Sequence, residues 1–350
     1  MTDDDVRPYL RDRLPDVEFI GPPERLDGGN LNVVWRVPGA ERSVIVKYAP
    51  PYIAANPEVP LDPSRILIEA RCLEALGPDG RLSEVATAAV RAAHLHDVNE
   101  ERHVVVMEDF GACPSLDAWL RSDDVREEAA VQSSRHLGAF IGRLHATTEG
   151  RTDLEHAFDN RSMQETRMAV QYQSVADMLA RGGVADAETL GARAEALGET
   201  LLEPGCCLTM GDLWPPSVLV TGDGLRLVDW ELAHYGRPLQ DVAHWKAHLW
   251  MQRHRAPSPA VADAANAAWT AFRDGYLRAV GNRYETLWTD AEQRAAAVHV
   301  GAEILVRAVG PFQDGYVYAG RAPDDPSVQE AVATAARHLR TPEAHAVLSR

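Results

Sequence analysis

The sequence contains almost no lysine. Lys47 and Lys246 are the two lysines among the 35 basic residues of a chain of 350 residues. Arginine presents a rigid planar fork, whereas lysine offers a compact charge on a flexible stem, so the two do not replace each other where a single phosphate oxygen must be met. A lysine in a chain that otherwise uses arginine for its basic residues needs an explanation. Lys47 lies near the end of the β-branched run RSVIVKY.

Long apolar runs are also absent. No stretch approaches the ~18 uninterrupted apolar residues that read as a membrane-spanning helix. The first ten residues, MTDDDVRPYL, lack the basic and apolar regions of a secretory signal peptide. We therefore expect a soluble, cytoplasmic protein with no membrane partner.

Cysteine is scarce and is not arranged for chemistry. Cys72, Cys113, Cys206 and Cys207 show no metal-binding spacing, and an adjacent pair is a poor clamp for zinc. We predict that the four cysteines are packing residues.

Positive charge is outnumbered throughout. The chain has 52 acidic and 35 basic residues and a formal net charge of −17. Such a surface repels polyanions, so nucleic acid and anionic membranes are excluded as expected partners.

Strand patterns dominate the first 110 residues. The β-branched runs 31–37 and 42–48 are joined by the turn sequence PGAE, which predicts a hairpin. The runs 90–98 and 102–110 predict a second hairpin. Between them, the segment 63–77 has apolar residues at helical spacing and ends at a glycine, which predicts one helix.

After Phe110 the pattern changes to amphipathic helices. Helices are predicted for a segment that ends in GRLHATT and for residues around 190–201, 258–283, 290–309 and 326–348, with short strands flanking 207–230. This order predicts an α+β chain with a boundary near Phe110, dividing it into domains at 1–110 and 111–350.

Polar residues of the first domain occur in a suggestive order. Gly28, Gly29 and Asn30 form a turn whose backbone N–H groups could approach phosphates closely. The strand residue Lys47 follows, and Glu69 follows on the predicted helix. Kinases place a glycine-rich loop, a phosphate-binding lysine and a helix glutamate that pairs with it in this order.

The segment VMEDF ends the last predicted strand of the first domain. In the kinase interpretation, this segment, with Glu108 and Phe110, is the hinge that offers backbone groups to an adenine edge. Without that interpretation it is a strand that ends in an acidic turn.

Carboxylates cluster in two short segments of the second domain. MGDLWPPSVLV contains Asp212 and Ser217, and LVDWELA contains Asp229 and Glu231. Carboxylates near an apolar core are costly unless a cation compensates them. Mg²⁺ is typically held by one or two carboxylates and the phosphates of a substrate, so the pattern predicts a metal-assisted phosphoryl-transfer site.

These blocks are similar in order and content to the aminoglycoside phosphotransferase and choline kinase superfamily, and within it they most resemble the methylthioribose kinases. The matching blocks are LDGGNLNVVWRV, SVIVKYAPPYI with PLDPSRILIEA, MEDF, HLGAFIGRLHA, MGDLWPPSVLV, LVDWELAHYGRP and AEILVRAVG. The resemblance implies a bilobal protein-kinase-like fold, with a small antiparallel-sheet N-lobe and a larger, mainly helical C-lobe. It also implies ATP and Mg²⁺ as cofactors.

The resemblance assigns roles to individual positions. Asp212 would be the catalytic residue, which accepts and orients the substrate hydroxyl. Ser217, Asp229 and Glu231 would hold the metal. Lys47 would meet the phosphates, with Glu69 as its partner, and Gly28, Gly29, Asn30, Glu108 and Phe110 would complete the nucleotide site.

Departures from the family pattern concern the acceptor substrate. Met210 stands where relatives usually have a histidine, and Val306-Arg307 stands where thioribose kinases have two arginines. The segment before Leu61 also lacks a tryptophan that those kinases tend to carry. Asp212, Trp214 and Arg307 are the candidate substrate residues.

Three functions stay open at this point. We favour a pentose-type sugar such as S-methyl-5-thioribose as the acceptor, because of DGGNLN, Ser217 and Arg307. An aminoglycoside or amino alcohol would suit the negative charge, and a nucleotide-binding pseudokinase without catalysis is the alternative from another class. The expected partner is a small hydroxylated molecule, and a homodimer is left open.

Overall fold

An antiparallel sheet carries the first part of the chain in the computed structural model, which describes residues 1–26, 31–122 and 126–348. The strands in chain order are β1 (Glu24–Arg25), β2 (Val33–Val37), β3 (Val44–Tyr48), β4 (Tyr52–Ile53), β5 (Asn56–Pro60), β6 (Val90–Ala92), β7 (Leu95–Asn99), β8 (Val104–Glu108), β9 (Cys207–Thr209), β10 (Val218–Thr221), β11 (Gly224–Leu227) and β12 (His234–Gly236). The five-stranded sheet has the order β1-β2-β3-β8-β7.

Alternation along β3 decides which side chains face which core. Val44 and Val46 lie in a small apolar cluster with Val104 and Val106 of β8, under the N-terminal helix. Because successive strand residues point to opposite faces, Lys47 lies on the other side of the sheet. There it is 4% exposed and pairs in register with Val105. A charge is thus directed into the interior, and it needs partners.

Helices make up most of the remaining chain. They are α1 (Asp3–Arg13), α2 (Arg65–Leu76), α3 (Leu116–Leu120), α4 (Glu127–Thr148), α5 (Thr152–Ala157), α6 (Arg161–Arg167), α7 (Val175–Arg181), α8 (Ala187–Thr200), α9 (Leu239–His254), α10 (Pro259–Val280), α11 (Tyr284–Leu287), α12 (Asp290–Ala308) and α13 (Pro326–Arg340). A π-helical turn, Met168–Gln173, joins α6 to α7. The α+β architecture, with an antiparallel sheet followed by a helical part, is confirmed.

Helices α4 and α10 approach each other unusually closely. At Gly138 of α4, an added Cβ would overlap the backbone carbonyl of Phe272 on α10. At Gly275 of α10, it would overlap the carbonyl of Arg135 on α4. The two backbones can meet at this distance because glycine has no side chain. The contact therefore fixes α4 against α10.

The predicted second hairpin is only partly correct. Residues 95–99 pair with 104–108 as expected. Residues 90–92 instead form β6, which pairs in parallel with β11 of the later segment. The apolar run that predicted one strand is therefore shared between two sheets, because the chain changes partner between Ala92 and Leu95. β6 links the two halves of the molecule, and the predicted domain boundary near Phe110 stays a prediction.

Two helix predictions also need correction. The helix predicted for 326–348 ends at Arg340, and Pro342, which lacks a backbone N–H, follows in a short 3₁₀ turn. Helix α9 was not predicted at all. Of its residues Leu239–His254, most are buried, so its sequence carries no single apolar stripe.

Within residues 1–26, 31–122 and 126–348, each helix is too short or too polar to cross a bilayer.

The close contact between α4 and α10 makes a stability prediction. Alanine normally stabilises a helix interior relative to glycine by about 0.5–1 kcal/mol. We expect the reverse for Gly138→Ala, a loss of about 1–3 kcal/mol in the free energy of unfolding, because two backbones must separate. Urea denaturation measures this, with Gly222→Ala as the control, since a Cβ there meets nothing within 4 Å. Equal stability of both variants would show that the helices are not in close contact.

Candidate active site

A buried ion cluster lies between the sheet, α2 and the segment after β11. The Nζ of Lys47 lies 2.7 Å from Asp229 Oδ1, 2.8 Å from Glu69 Oε2 and 3.7 Å from Glu231 Oε1. Residues that are far apart in the sequence are thereby brought to one ammonium group. The sequence prediction that Lys47 pairs with Glu69 agrees with this geometry.

Arg65 supplies a second cation to this cluster. Its Nε donates to Glu231 Oε2 at 3.0 Å, and its other nitrogens donate to Asn32 Oδ1 and to backbone carbonyls such as that of Leu31. Asn32 in turn donates to Glu231 Oε1 at 2.7 Å. Both carboxylate oxygens of Glu231 therefore already have donors within the protein.

Carboxylates outnumber cations in the cluster. Glu69, Asp229 and Glu231 face Lys47 and Arg65. Burial alone would lower the pKa of Lys47, but the three carboxylates outweigh it and raise that pKa. Burial raises the pKa of Glu69 to about 7, and the charges of Asp229 and Glu231 add to this against the attraction of Lys47. When all three carboxylates are ionised, one negative charge is left uncompensated, and either a proton on Glu69 or a divalent cation would relieve it.

Asp229 is the carboxylate of this cluster that reaches outward. Its side chain is 52% exposed, whereas that of Glu69 is 1% exposed. Its backbone has φ 64°, a left-handed conformation that is uncommon for a residue other than glycine. Among the described residues, Lys47 is the partner of its Oδ1, and its Oδ2 accepts no hydrogen bond. Asp229 thus keeps one carboxylate oxygen without a hydrogen bond on a half-exposed side chain.

Ser217 is placed beside Asp229 by the hairpin of β10 and β11. Val218 pairs with Leu227, and the carbonyl of Ser217 accepts a hydrogen bond from Val228 N at 3.0 Å. The Ser217 hydroxyl is buried and donates to the carbonyls of Trp214 at 2.9 Å or Asp212 at 3.2 Å. As donor only, the hydroxyl oxygen accepts no hydrogen bond from the described residues, and hydroxyl and carboxylate oxygens are the ligand types that Mg²⁺ takes.

Asp241 holds the backbone of the turn before Asp212. The carboxylate of Asp241 on α9 accepts the backbone N–H groups of Met210 at 2.9 Å and Gly211 at 2.8 Å, and it contacts His145 Nε2 at 3.0 Å. Gly211 has φ 79°, and a Cβ there would overlap the carbonyl of Leu232. Met210, which replaces the usual histidine, is fully buried. The turn is therefore held through its backbone, not through the side chain at position 210.

Asp212 lies in a second, separate polar group. Arg167 Nη2 donates to its Oδ1 at 2.7 Å, and His244 Nε2 lies 3.3 Å from the same oxygen. Burial would raise the pKa of Asp212, but the nearby His244 and the charge of Arg167 lower it well below its ordinary value. Asp212 is therefore a carboxylate at neutral pH and can accept a hydrogen bond from a hydroxyl.

Aromatic and cationic side chains surround the space next to Asp212. The guanidinium of Arg307 lies 4.3 Å from the centre of the Trp214 ring and 5.6 Å from that of Tyr316. Its Nε donates to Glu303 Oε1 at 2.8 Å. The three predicted substrate residues, Asp212, Trp214 and Arg307, therefore belong to one neighbourhood.

The predicted hinge residues direct their side chains elsewhere. Glu108 ends β8 and accepts two hydrogen bonds from Arg91, at 2.6 Å and 2.7 Å. The ring of Phe110 lies 5.3 Å from the guanidinium of Arg91 and 6.0 Å from that of Arg226. Contact of these residues with a nucleotide stays a prediction. Gly28, Gly29 and Asn30 lie outside the described residues.

Sequence reasoning missed several members of both groups. They are Asn32, Arg65, Arg167, Asp241, His244 and Glu303. Asn32 and Arg65 stood inside the quoted blocks LDGGNLNVVWRV and DPSRILIEA, so their polar type next to apolar runs was a usable signal. His244 carried none, because it belongs to the unpredicted helix α9.

The chain is similar to known proteins in sequence and in fold. The model of the phosphotransferase enzyme family known as APH matches residues 23–297. The chain belongs to this family. A 4-hydroxytryptamine kinase of Psilocybe cyanescens is 27% identical over 240 residues, covering 63% of this chain and 65% of that protein.

Two further relatives of the phosphotransferase are informative. A methylthioribose kinase of Exiguobacterium sibiricum is 24% identical over 245 residues, covering 65% of this chain and 60% of that protein. The chain thus spans just under two thirds of the length of both relatives. The choline kinase structure from Streptococcus pneumoniae has a TM-score of 0.53 and 14% identity, covering 95% of this chain and 98% of that one. The last likeness confirms the kinase-like fold.

Crowding of carboxylates around Lys47 predicts a pH effect on stability. The pKa of Glu69 is about 7 in the folded phosphotransferase and 4.5 in an ordinary environment. The folded chain then binds a proton that the unfolded chain has lost, so this contribution to stability is present below about pH 4.5 and disappears as the pH rises towards about 7. We expect Glu69→Gln, which cannot titrate, to gain in free energy of unfolding relative to the wild type between about pH 5 and about pH 7.5.

Urea denaturation at the two pH values measures this difference. Glu74→Gln, an exposed glutamate on the same helix, is the control, and its difference from the wild type should stay constant. A constant difference for Glu69→Gln as well would contradict the crowded cluster.

Proposed function

We propose that the phosphotransferase transfers the γ-phosphoryl group of ATP, bound with Mg²⁺, to a hydroxyl of a small molecule. The observation that carries this proposal is the Lys47 cluster, in which a buried lysine meets an outward-facing aspartate and carboxylates exceed cations. A lysine in this setting suits nucleotide phosphates, and the surplus negative charge suits a divalent metal.

The roles proposed for residues on the nucleotide side depend on which side-chain oxygens already accept hydrogen bonds. Asp229 Oδ2 and the Ser217 hydroxyl are the available oxygens for a metal. Each oxygen of Glu231 already accepts one hydrogen bond, from Arg65 or Asn32, so its predicted metal role would place the metal beside the Arg65 guanidinium. In this proposal Glu231 mainly holds Arg65 and Lys47 in place. Mg²⁺, when bound, neutralises charge on the phosphates during transfer.

Asp212 is the acceptor-side residue of the proposal. Arg167 holds the side chain of Asp212 as a carboxylate. The β10–β11 hairpin lies between Asp212 and Asp229 in the chain. Asp212 accepts the proton of the attacking hydroxyl and orients that oxygen towards the phosphorus. The proton moves from the hydroxyl to the carboxylate as the new P–O bond forms and the bond to the leaving ADP oxygen breaks.

Charge balance next to Asp212 supports a small neutral acceptor. Each buried carboxylate here already has an arginine, Arg167 for Asp212 and Arg307 for Glu303. A polycationic aminoglycoside would have to displace these pairs, whereas a neutral sugar would not. We therefore favour a pentose-type sugar such as S-methyl-5-thioribose, whose ring could lie against Trp214 and whose hydroxyl groups could accept from Arg307.

A hydroxylated aromatic amine is the second candidate acceptor. Two relatives are 4-hydroxytryptamine kinases, and the aromatic side chains of Trp214 and Tyr316 would stack on a flat ring. The site then phosphorylates a phenolic hydroxyl by the same use of Asp212.

Replacement of Asp212 tests the catalytic assignment. Asp212→Asn keeps the shape of the side chain but cannot accept the proton, so turnover should fall by ~10²–10⁴ while the affinity for ATP changes little. Steady-state kinetics and calorimetry measure the two quantities. The control is Asp274→Asn, an exposed aspartate that pairs with Arg273 on its own helix. Full turnover in Asp212→Asn would exclude Asp212 as the proton acceptor.

An acceptor panel tests the substrate. We expect ATP-dependent addition of one phosphoryl group to methylthioribose, followed by mass spectrometry, and no addition with Asp212→Asn. If 4-hydroxytryptamine, choline or an aminoglycoside is phosphorylated and no sugar is, the kinase proposal stands. That compound then replaces the sugar as the proposed acceptor. ATP binding with transfer to no acceptor would favour the pseudokinase alternative.

A further inference from the structure

We propose that His244 is a positioning residue for Asp212, an inference that rests on the proposed function. It donates its Nε2–H to one carboxylate oxygen of Asp212 and so reserves the other oxygen for the acceptor hydroxyl.

Two nitrogen atoms lie near the same oxygen of Asp212, and of these Arg167 Nη2 forms the recorded hydrogen bond. Arg167 Nη2 is 2.7 Å from Oδ1, and His244 Nε2 is 3.3 Å from Oδ1. Oδ2 accepts no hydrogen bond from the residues that the structure describes. A carboxylate held at one oxygen has a fixed orientation, and its second oxygen stays free for a hydroxyl.

Burial makes the contact of His244 with Asp212 necessary. His244 is 1% exposed, and its Nε2 has no hydrogen-bond partner among the described residues, although Asp212 Oδ1 lies 3.3 Å away. An unpaired N–H in such a place is costly, and Asp212 Oδ1 is the acceptor within reach.

A chain of hydrogen bonds behind His244 determines which of its nitrogens carries the proton. Tyr172 OH lies 2.6 Å from His299 Nδ1, and His299 Nε2 lies 3.2 Å from His244 Nδ1. When Tyr172 donates to His299, His299 must donate to His244, whose own proton is then on Nε2 and faces Asp212. In the opposite direction, the lone pair of His244 Nε2 would face a carboxylate, which is unfavourable.

A metal site is the competing interpretation of the neighbouring residues. His244, His248 and Glu303 have ligand atoms within 4.8 Å of one another, and two histidines with a glutamate can bind zinc. Glu303, however, already accepts Arg307 Nε at 2.8 Å and Gln171 Nε2 at 2.9 Å. A guanidinium at this distance opposes a divalent cation, so the geometry favours the hydrogen-bond chain.

Two substitutions at His244 separate positioning from packing. Leucine fills similar space without a donor, whereas the amide of glutamine can donate from near the position of Nε2. We expect His244→Leu to lower kcat by ~10²-fold with the KM for ATP nearly unchanged, because Asp212 loses its orientation. We expect His244→Gln to recover most of that loss, staying within ~5-fold of the wild type.

The control for these variants lies on the same helix. His254 also contacts a tyrosine, Tyr318, through Nδ1 at 2.6 Å, but it does not contact Asp212. His254→Gln should therefore leave kcat unchanged. Equal losses in His244→Leu and His244→Gln would overturn the proposal, whereas a wild type that phosphorylates no acceptor would overturn the proposed function instead.

A measurement without activity keeps the inference testable if a variant fails to fold. Nitrogen-15 NMR of histidine-labelled wild-type enzyme, without acceptor, should assign to His244 the signal that disappears in His244→Gln, and that signal should be protonated at Nε2. If the signal lost in His244→Gln is protonated at Nδ1, or if the purified enzyme contains stoichiometric zinc, the proposal is contradicted.

Discussion

The buried charge of Lys47 is the constraint on which the rest of the site depends. Strand alternation directs this ammonium into the interior, where it is 4% exposed. It is stable there because Glu69 of α2 and Asp229, which follows β11, meet it at 2.8 Å and 2.7 Å. Each element that carries a partner is thereby fixed relative to the sheet. Removal of the lysine would leave buried carboxylates without compensation, so the cluster joins the structure of the cleft to its chemistry.

The acceptor side is built in a different way, from a buried backbone anchor and paired charges. Asp241 holds the turn before Asp212 through backbone N–H groups, and Arg167 holds the Asp212 carboxylate itself. The β10–β11 hairpin connects this turn to Asp229, so the two polar groups share one short segment of chain. Phosphoryl transfer requires positioning and charge neutralisation more than covalent chemistry, and the two groups divide these tasks between them.

Much of this arrangement could be predicted where local chemistry is specific. The hairpin of β2 and β3 and helix α2 followed from alternation and periodicity. The pairing of Lys47 with Glu69 followed from the resemblance to kinases, which place these residues in the same order. The partner change at β6 could not be predicted, since a strand of three residues, Val90–Ala92, fits either sheet. Helix α9 was missed because it is buried on nearly all sides, and His244 and Asp241 were missed with it. Glu231 shows a further limit, since its engagement by Arg65 and Asn32 depends on tertiary contacts.

The most direct test of the account measures ATP binding by calorimetry with and without Mg²⁺, in the wild type and in Asp229→Ala. The surplus carboxylate charge around Lys47 predicts that the wild type loses at least ~10-fold in ATP affinity without Mg²⁺, because the phosphates then meet an uncompensated carboxylate. Asp229→Ala should bind ATP with almost the same affinity in both conditions. A wild type that binds ATP equally well without Mg²⁺, or an Asp229→Ala variant that keeps the full dependence on Mg²⁺, would contradict the account.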